Sequence, residues 1–343
     1  MSGIYITING RKIGQGYPVY IIAEIGINHN GSLELAFDMV RAAKQSGVDA
    51  VKFQILTAER CYTKQSHSYE IFKKIEFKKF EWKMIFDLAR SLNIDCFATF
   101  VDCLDIVDFH EFTELAVKVS SSNVTNIPLL ENIAKIGVPV LLSSGMSELS
   151  ELKEAINVLR SHGQREIAIF QCTSLYPAPL DSLNLRSIGT LKVGFPDCPI
   201  GFSDHSQGIL GALTSVALGA TLIEKHFTID RTLEGLDQHF SSNPCEMKEL
   251  VTAVRGVEVA LGSSVKVPTL EESAVRARFR RTIVALKNIS PGEILSDENI
   301  GLKRSDIFGL EPKYYRSVLG RKVKLPLTID MSLQAEMVEG DLT

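Results

Sequence analysis

The 343-residue chain has one tryptophan, few prolines (12) and no apolar run near the ~18 residues that a membrane span needs, so a soluble protein is expected. Its six cysteines, Cys61, Cys96, Cys103, Cys172, Cys198 and Cys245, include no CxxC pair; a zinc-ribbon ligand set is excluded, and small core residues in a reducing compartment are expected. Neither sign of charge dominates. The 37 Lys and Arg against 41 Asp and Glu leave a formal net charge of −4, which gives no electrostatic footprint for a polyanion and excludes a dedicated nucleic-acid binder. No GxGxxG or P-loop opens a helix, which counts against a nucleotide-binding sheet. Residues 1–12 lack the basic start, apolar core and cleavage site of a signal peptide, so a cytoplasmic location is expected. What is present is ordinary globular material: 45% hydrophobic and 23% charged residues, enough for a large core and too apolar for a disordered chain.

Short apolar runs recur at 19–25, 50–55, 95–99, 116–120, 138–143, 166–171, 200–203 and 221–227, with helical patterns between them at 33–46, 80–92, 129–135, 148–159 and 210–218, and a last one at 246–260. Eight strand-helix units in about 240 residues predict an α/β protein, a (β/α)8 TIM barrel. The stretch ITINGRKI at 6–13 reads as a hairpin closing the bottom of the barrel, with Asn9-Gly10 as a type I′ turn. The pattern changes after Leu261. The expected organisation is a barrel domain over 1–262, a linker over 263–277 and a small β-rich domain over 278–343, with short strands at 282–285, 300–303 and 321–325. A module of about 65 residues is small for an independent core and should dock on something.

Alternate residues of a barrel strand point inward, and chemistry sits at the strands' C-terminal ends. Counting by two turns Lys52 and Gln54 inward, opposite Val51, Phe53 and Ile55. The same count turns Glu24, Lys118, Glu224 and His226 inward near their strand ends. Unpaired buried charges cost several kcal/mol each, roughly, so a group of them at one mouth must pair with each other or meet a charged ligand. Two lysines with Ser121, Ser143 and Ser203 nearby suit a phosphate or carboxylate. His205 and His226 end adjacent strands, and two imidazoles there can hold a borderline divalent ion such as Mn, Fe, Co or Zn. His67, His110, His162 and His239 have no such placement.

The motifs AEIGINHNG at 23–31, VKFQ at 51–54, LSSGM at 142–146, CTSLYP at 172–177, GFSDH at 201–205 and IEKHFT at 223–228 resemble the sialic acid synthase family in order and spacing. The C-terminal segment, with ISPGE at 289–293, Lys303-Arg304 and GLEP at 309–312, resembles that family's antifreeze-like (SAF) domain. The resemblance implies condensation of phosphoenolpyruvate with the open-chain aldehyde of an N-acylated amino sugar, giving a nine-carbon 2-keto-3-deoxy acid and phosphate. It implies that Lys52, Lys118, Ser121, Ser143 and Ser203 bind phosphoenolpyruvate, and that His205 and His226 hold a divalent metal, Mn2+ before Mg2+ or Co2+. Gln54, Tyr176 and Asp237 would contact the sugar. Arg304 would reach it from a partner subunit, because the family's small domain swaps across a homodimer. Glu24 is the candidate for proton handling beside the metal, with Asp237 as second carboxylate.

Departures from the family pattern bear on the sugar. KVSSSN at 118–123 carries Asn123 where neuraminate synthases commonly carry Glu, and Ser174 stands where bacterial neuraminate enzymes have Asn. The spelling CTSLYP and Phe308 to Lys313 resemble the pseudaminic acid branch, whereas residues 24–31 resemble the neuraminate and legionaminate branch, so both N-acetylmannosamine and 2,4-diacetamido-6-deoxy sugars stay open. One carboxylate lost from a sugar site is enough to change such a preference. Two other readings stand beside this one: a phosphoenolpyruvate-dependent synthase of eight- or seven-carbon keto acids, and a non-catalytic sugar-binding or interaction protein centred on the small domain.

Overall fold

A computed structural model describes residues 4–341; residues 1–3 and 342–343, at the outer limits of the two expected domains, lie outside the described residues. The chain divides into two compact units, Met1–Gly262 and Ser263–Thr343.

The first unit opens with an antiparallel hairpin, β1 (Tyr5–Ile8) and β2 (Arg11–Gly14). Asn9 and Gly10 join the strands with φ of 49° and 74°, the paired positive values a type I′ turn requires. Eight parallel strands follow and close into a barrel: β3 (Tyr20–Gly26), β4 (Ala50–Ile55), β5 (Asp95–Phe100), β6 (Val117–Val119), β7 (Val140–Ser143), β8 (Ile167–Cys172), β9 (Ile200–Asp204) and β10 (Leu222–His226), with β10 pairing back to β3. The helices pack outside. Their ends are specified locally: Ser32 caps helix Leu33–Ser46 by accepting the Leu35 N–H, and Gly47 ends it in the left-handed region at φ 85°. Ala36, Met39, Val40 and Ala43 make its buried face at three- and four-residue spacing.

Inside the barrel the lower layer is apolar. Tyr20, Ile22, Ala50, Phe97, Ala116, Leu141, Ala168, Phe170 and Leu222 pack with Ile6, Ile8 and Ile13 of the hairpin, which plugs the bottom. The polar inward residues of the same strands lie above this layer.

The second unit holds a two-stranded sheet, β11 (Arg281–Ala285) and β12 (Ile300–Arg304), on a core of Ile283, Ala285, Ile289, Leu295, Ile300, Val318, Val323, Leu327, Leu333 and Val338. Residues 321–325 form isolated bridges, Ile294 to Lys322 and Val323 to Val338, where a strand is expected from the sequence. The segment read as linker differs too, because a helix, Leu270–Phe279, occupies much of it. Thr269 and Glu272 cap that helix reciprocally. Its polar composition carries no apolar face that periodicity could detect.

No helix among the described residues is long and apolar enough to cross a membrane.

Candidate active site

The C-terminal ends of the barrel strands surround a cavity of ≈ 230 Å³, lined among others by Glu24, Lys52, Gln54, Lys118, Glu224 and His226. A larger hollow of ≈ 400 Å³, bounded by Asn9, Arg90, Asp95 and Glu114, lies at the opposite strand ends. The inward ionisable groups belong to the smaller cavity, at the end where barrel chemistry is done.

At its base four charges interlock. The Lys52 ammonium lies 3.2 Å from Glu24 Oε2 and 3.3 Å from Glu224 Oε1, and donates to Thr99 Oγ1 at 3.0 Å. The Lys118 ammonium lies 3.5 Å from the same Glu224 oxygen, donates to Ser143 Oγ, and sits 5.3 Å from the Phe170 ring centre. Ser203 Oγ donates to Glu224 Oε1 at 3.2 Å, and Gln54 Nε2 to Glu24 Oε1 at 3.0 Å. All four charged side chains are at most 5% exposed. Register explains the meeting: Glu24 stands opposite Lys52 between β3 and β4, and Glu224 opposite Ser203 between β10 and β9.

Burial pushes the Glu24 carboxyl up, against the pull of Lys52. Burial acts the same way on Glu224, but Lys118 and Lys52 together outweigh it and hold that carboxyl below its usual range. Lys118 is lowered by burial, while Lys52, equally buried, is raised by its two carboxylates. Two lysines and two carboxylates cancel in formal charge. Yet Oε2 of Glu24 and of Glu224 accept no aligned hydrogen bond, and unsaturated buried acceptors of this kind mark a place where a partner belongs.

The rim is imidazole and aromatic. His205 lies 2.7 Å through Nδ1 from the Thr173 carbonyl, so Nδ1 carries a proton; burial lowers its affinity for a second one, but Cys172 and that carbonyl outweigh burial and raise it, and Nε2 has a lone pair in the neutral form. Its ring is 5.3 Å from that of His226 and 4.2 Å from that of Tyr176. His226 packs on Phe240, and its buried Nδ1 has no hydrogen-bond partner, although Asp237 Oδ2 stands 3.6 Å away. Burial and the positive groups around it hold His226 well below the usual imidazole range, and burial raises Asp237 to about 6. The Cys172 thiol is 3.8 Å from His205 Nδ1; burial opposes its ionisation, but His205 and Lys118 bring it below its ordinary value. Among the described residues no group of three or more His, Cys, Asp or Glu side chains is arranged to hold a metal, which leaves His205 and His226 as the pair of imidazoles at the rim.

Of the residues singled out in the sequence, Glu24, Lys52, Gln54, Lys118, Ser121, Ser143, Tyr176, Ser203, His205 and His226 line the cavity. Asn123 does not: its amide donates to Ser120 Oγ at 3.0 Å and its carbonyl oxygen accepts from Asn126 at 3.0 Å, leaving Ser120, Ser121 and Ser122 on the wall. Ser174 is absent from the lining and its buried hydroxyl is unpartnered. Asp237 stands behind His226. Arg304 ends β12 in the other unit, its guanidinium 5.3 Å from the Phe279 ring centre. Thr99, Cys172 and Tyr62 also line the cavity, beyond the residues expected from the sequence. The first two follow from counting by two to the ends of β5 and β8; Tyr62 comes from a loop after β4 that no periodicity places.

The sequence pattern of the NeuB family matches residues 39–266, and that of the SAF domain residues 280–339. The chain belongs to the NeuB family. Within it, the "N,N'-diacetyllegionaminic acid synthase" of Legionella pneumophila is 35% identical over 351 residues, 97% of this chain and 98% of that protein. The "Uncharacterized protein MJ1065" of Methanocaldococcus jannaschii is 43% identical over 319 residues, 93% of this chain and 94% of that one. The crystal structure of the N-acetylneuraminic acid (sialic acid) synthetase of Leptospira borgpetersenii superposes with a TM-score of 0.76 at 36% identity, covering 79% of this chain and 95% of that one. The sialic acid synthase motifs of this NeuB chain thus converge on one barrel mouth.

Proposed function

We propose that the protein is a nonulosonic acid synthase, condensing phosphoenolpyruvate with the aldehyde of an N-acylated amino sugar and releasing phosphate. The observation that carries this reading is the pair of buried lysines sharing Glu224 at the base of a cavity rimmed by two imidazoles. An enol phosphate placed there meets two ammonium groups that Glu24 and Glu224 already balance in formal charge, so a divalent ion at the rim would be needed to offset the rest. Lys52 and Lys118 meet the phosphate and carboxylate of the enol phosphate, and Ser121, Ser143 and Ser203 supply hydroxyl donors at the same depth. His205 and His226 hold a divalent ion, Mn2+ by preference; the free Nε2 of His205 and the unpartnered Nδ1 of His226 are the chemistry such an ion requires. When bound, that ion supplies Lewis acidity toward an aldehyde oxygen.

The enol carbon C3 forms a bond to the aldehyde carbon, and water adds at C2. Glu24, the carboxyl whose proton affinity burial raises, takes one proton of that water and passes it to the former aldehyde oxygen, which becomes a hydroxyl. Collapse of the C2 adduct to the ketone breaks its C–O bond to phosphate, the remaining hydroxyl proton leaves with the phosphate as hydrogen phosphate, and Lys52 and Lys118 hold the departing group. Gln54, Tyr176 and Asp237 contact and orient the sugar. The wall made by Ser120, Ser122, Leu56 and Val101 carries no formal charge, which favours a 2,4-diacylamido-6-deoxy sugar over a polyhydroxylated one. Arg304 is assigned to the sugar of a partner subunit in a domain-swapped dimer. Mixing Arg304→Ala with Lys52→Ala subunits then restores activity in heterodimers, and none after verified subunit exchange removes the assignment.

The deciding experiment follows phosphate release from phosphoenolpyruvate and Mn2+ with N-acetylmannosamine, a 2,4-diacetamido-6-deoxy hexose and arabinose 5-phosphate. Release is expected with an acylamino sugar, fastest with the diacetamido one. Release with arabinose 5-phosphate alone, or with none of them, overturns the reading.

A further inference from the structure

One buried ion pair lies outside the chemistry just described. Asp204 and Lys225 are 0% and 2% exposed and meet at 2.9 Å on the outer face of the barrel wall, in a layer elsewhere filled by Phe202, Ile223 and other apolar side chains. The Lys225 ammonium also donates to the Ser206 carbonyl at 2.6 Å, and Asp204 Oδ1 accepts from Ser206 N and Oγ at 2.9 and 2.6 Å. Helix Leu210–Ala217 presses on this network at Gly211, where a Cβ would come within 3.0 Å of Ser206 Oγ. Replacing such a pair by apolar residues of similar volume is often neutral or stabilising, so stability alone does not account for it.

Its position does. The parallel register of β9 and β10 has Lys225 opposite Asp204 as its last pair, and the next residue on each strand is a rim histidine, His205 or His226. The backbone ladder therefore ends one residue short of both imidazoles. The side-chain bridge ties the strands at that last step, from the face opposite the cavity, and through Ser206 it also grips the chain on the far side of His205.

We propose that Asp204 and Lys225, with Ser206, are positioning residues that set the separation of the His205 and His226 imidazoles and thereby the affinity of the site for a divalent ion. This rests on the reading that those two histidines hold the ion. Second-side partners of metal-binding histidines typically change affinity by about 10–100-fold when removed.

The test measures Mn2+ binding to the full-length protein by calorimetry without substrate, alongside thermal unfolding. The Asp204→Leu/Lys225→Met double variant should unfold cooperatively near the wild-type temperature and bind Mn2+ roughly 10–100-fold more weakly. Wild-type affinity in that folded variant overturns the proposal. If the double variant does not fold, Asp204→Asn decides, because it keeps the side-chain shape and removes the charge that holds Lys225: severalfold weaker binding supports the proposal, unchanged binding overturns it. His205→Ala separates the two layers of argument. Should it bind Mn2+ as wild type does, the metal reading itself fails; should it lose binding while the double variant keeps it, only the positioning role fails.

Discussion

The two ends of the barrel are made by the same eight strands and have opposite interiors. At the lower end Tyr20, Ile22, Ala50, Phe97 and Leu222 point inward and are sealed by three isoleucines of the hairpin. Two residues further along, about 7 Å by strand rise, the inward side chains are Glu24, Lys52, Thr99 and Glu224. The lower layer is held by apolar burial, which tolerates no charge. The upper layer sets charges against one another and leaves carboxylate oxygens unsatisfied, which only a ligand makes worthwhile. Stability and chemistry are thus separated by one inward step along each strand, and substitutions in the two layers should differ in kind.

The largest effect is expected in the upper layer. Lys52→Met removes the ammonium facing Glu24 and Glu224, and should lower the rate of phosphate release about 10³-fold or more, a loss of roughly 4 kcal/mol of transition-state stabilisation. A folded Lys52→Met protein with near wild-type turnover would dissolve the distinction between the layers. In the lower layer, Ile8→Ala opens a cavity under the barrel and should cost about 3 kcal/mol in denaturant unfolding, with kcat/KM of the folded protein unchanged. Comparable loss of turnover per folded molecule would show that the floor reaches the chemistry.

The third and smallest effect sharpens the comparison from outside both layers. His29 is 1% exposed, stacks on Phe77 at 4.3 Å, and accepts the Gly31 N–H at Nδ1; burial lowers it to about 3. Its unfolded value is near 6.5, so the unfolded chain binds the proton more readily and stability falls as pH falls below about 6.5. Between pH 6.5 and 5 the loss should be about 1.5–2 kcal/mol, measured by denaturant unfolding, and His29→Leu should flatten that part of the profile. An unchanged slope would remove His29 as the source of acid sensitivity, since the raised Glu24 and Asp237 carboxyls act in the opposite sense over that range.

The barrel was legible because alternation and strand-helix recurrence are local properties, and the inward direction of Lys52, Lys118 and Glu224 follows from the same count by two. That Glu224 serves both lysines was not legible: it depends on closure, which brings β10 across the interior from β4 and β6. Asn123 shows a second limit. The sequence marks the loss of a carboxylate there, but its amide turns into bonds with Ser120 and Asn126, so neighbouring serines face the cavity. Tyr62 shows a third. It is carried by a loop after β4 whose own small cluster, Ala58, Tyr69 and Phe72, sets its course. The helix at Leu270–Phe279 escaped notice because its signal is a polar cap without an apolar face.

The hairpin plug has a consequence for traffic. With Ile6, Ile8 and Ile13 filling the lower end, the described residues close the barrel interior on that side. On the proposed reaction, a molecule held by Lys52 and Lys118 would lie deepest and enter before a second reactant stands in the opening, and phosphate left there would depart only after the passage above it clears. In the proposed reaction, the order in which molecules come and go would thereby depend on a hairpin of two four-residue strands at the other end of the barrel.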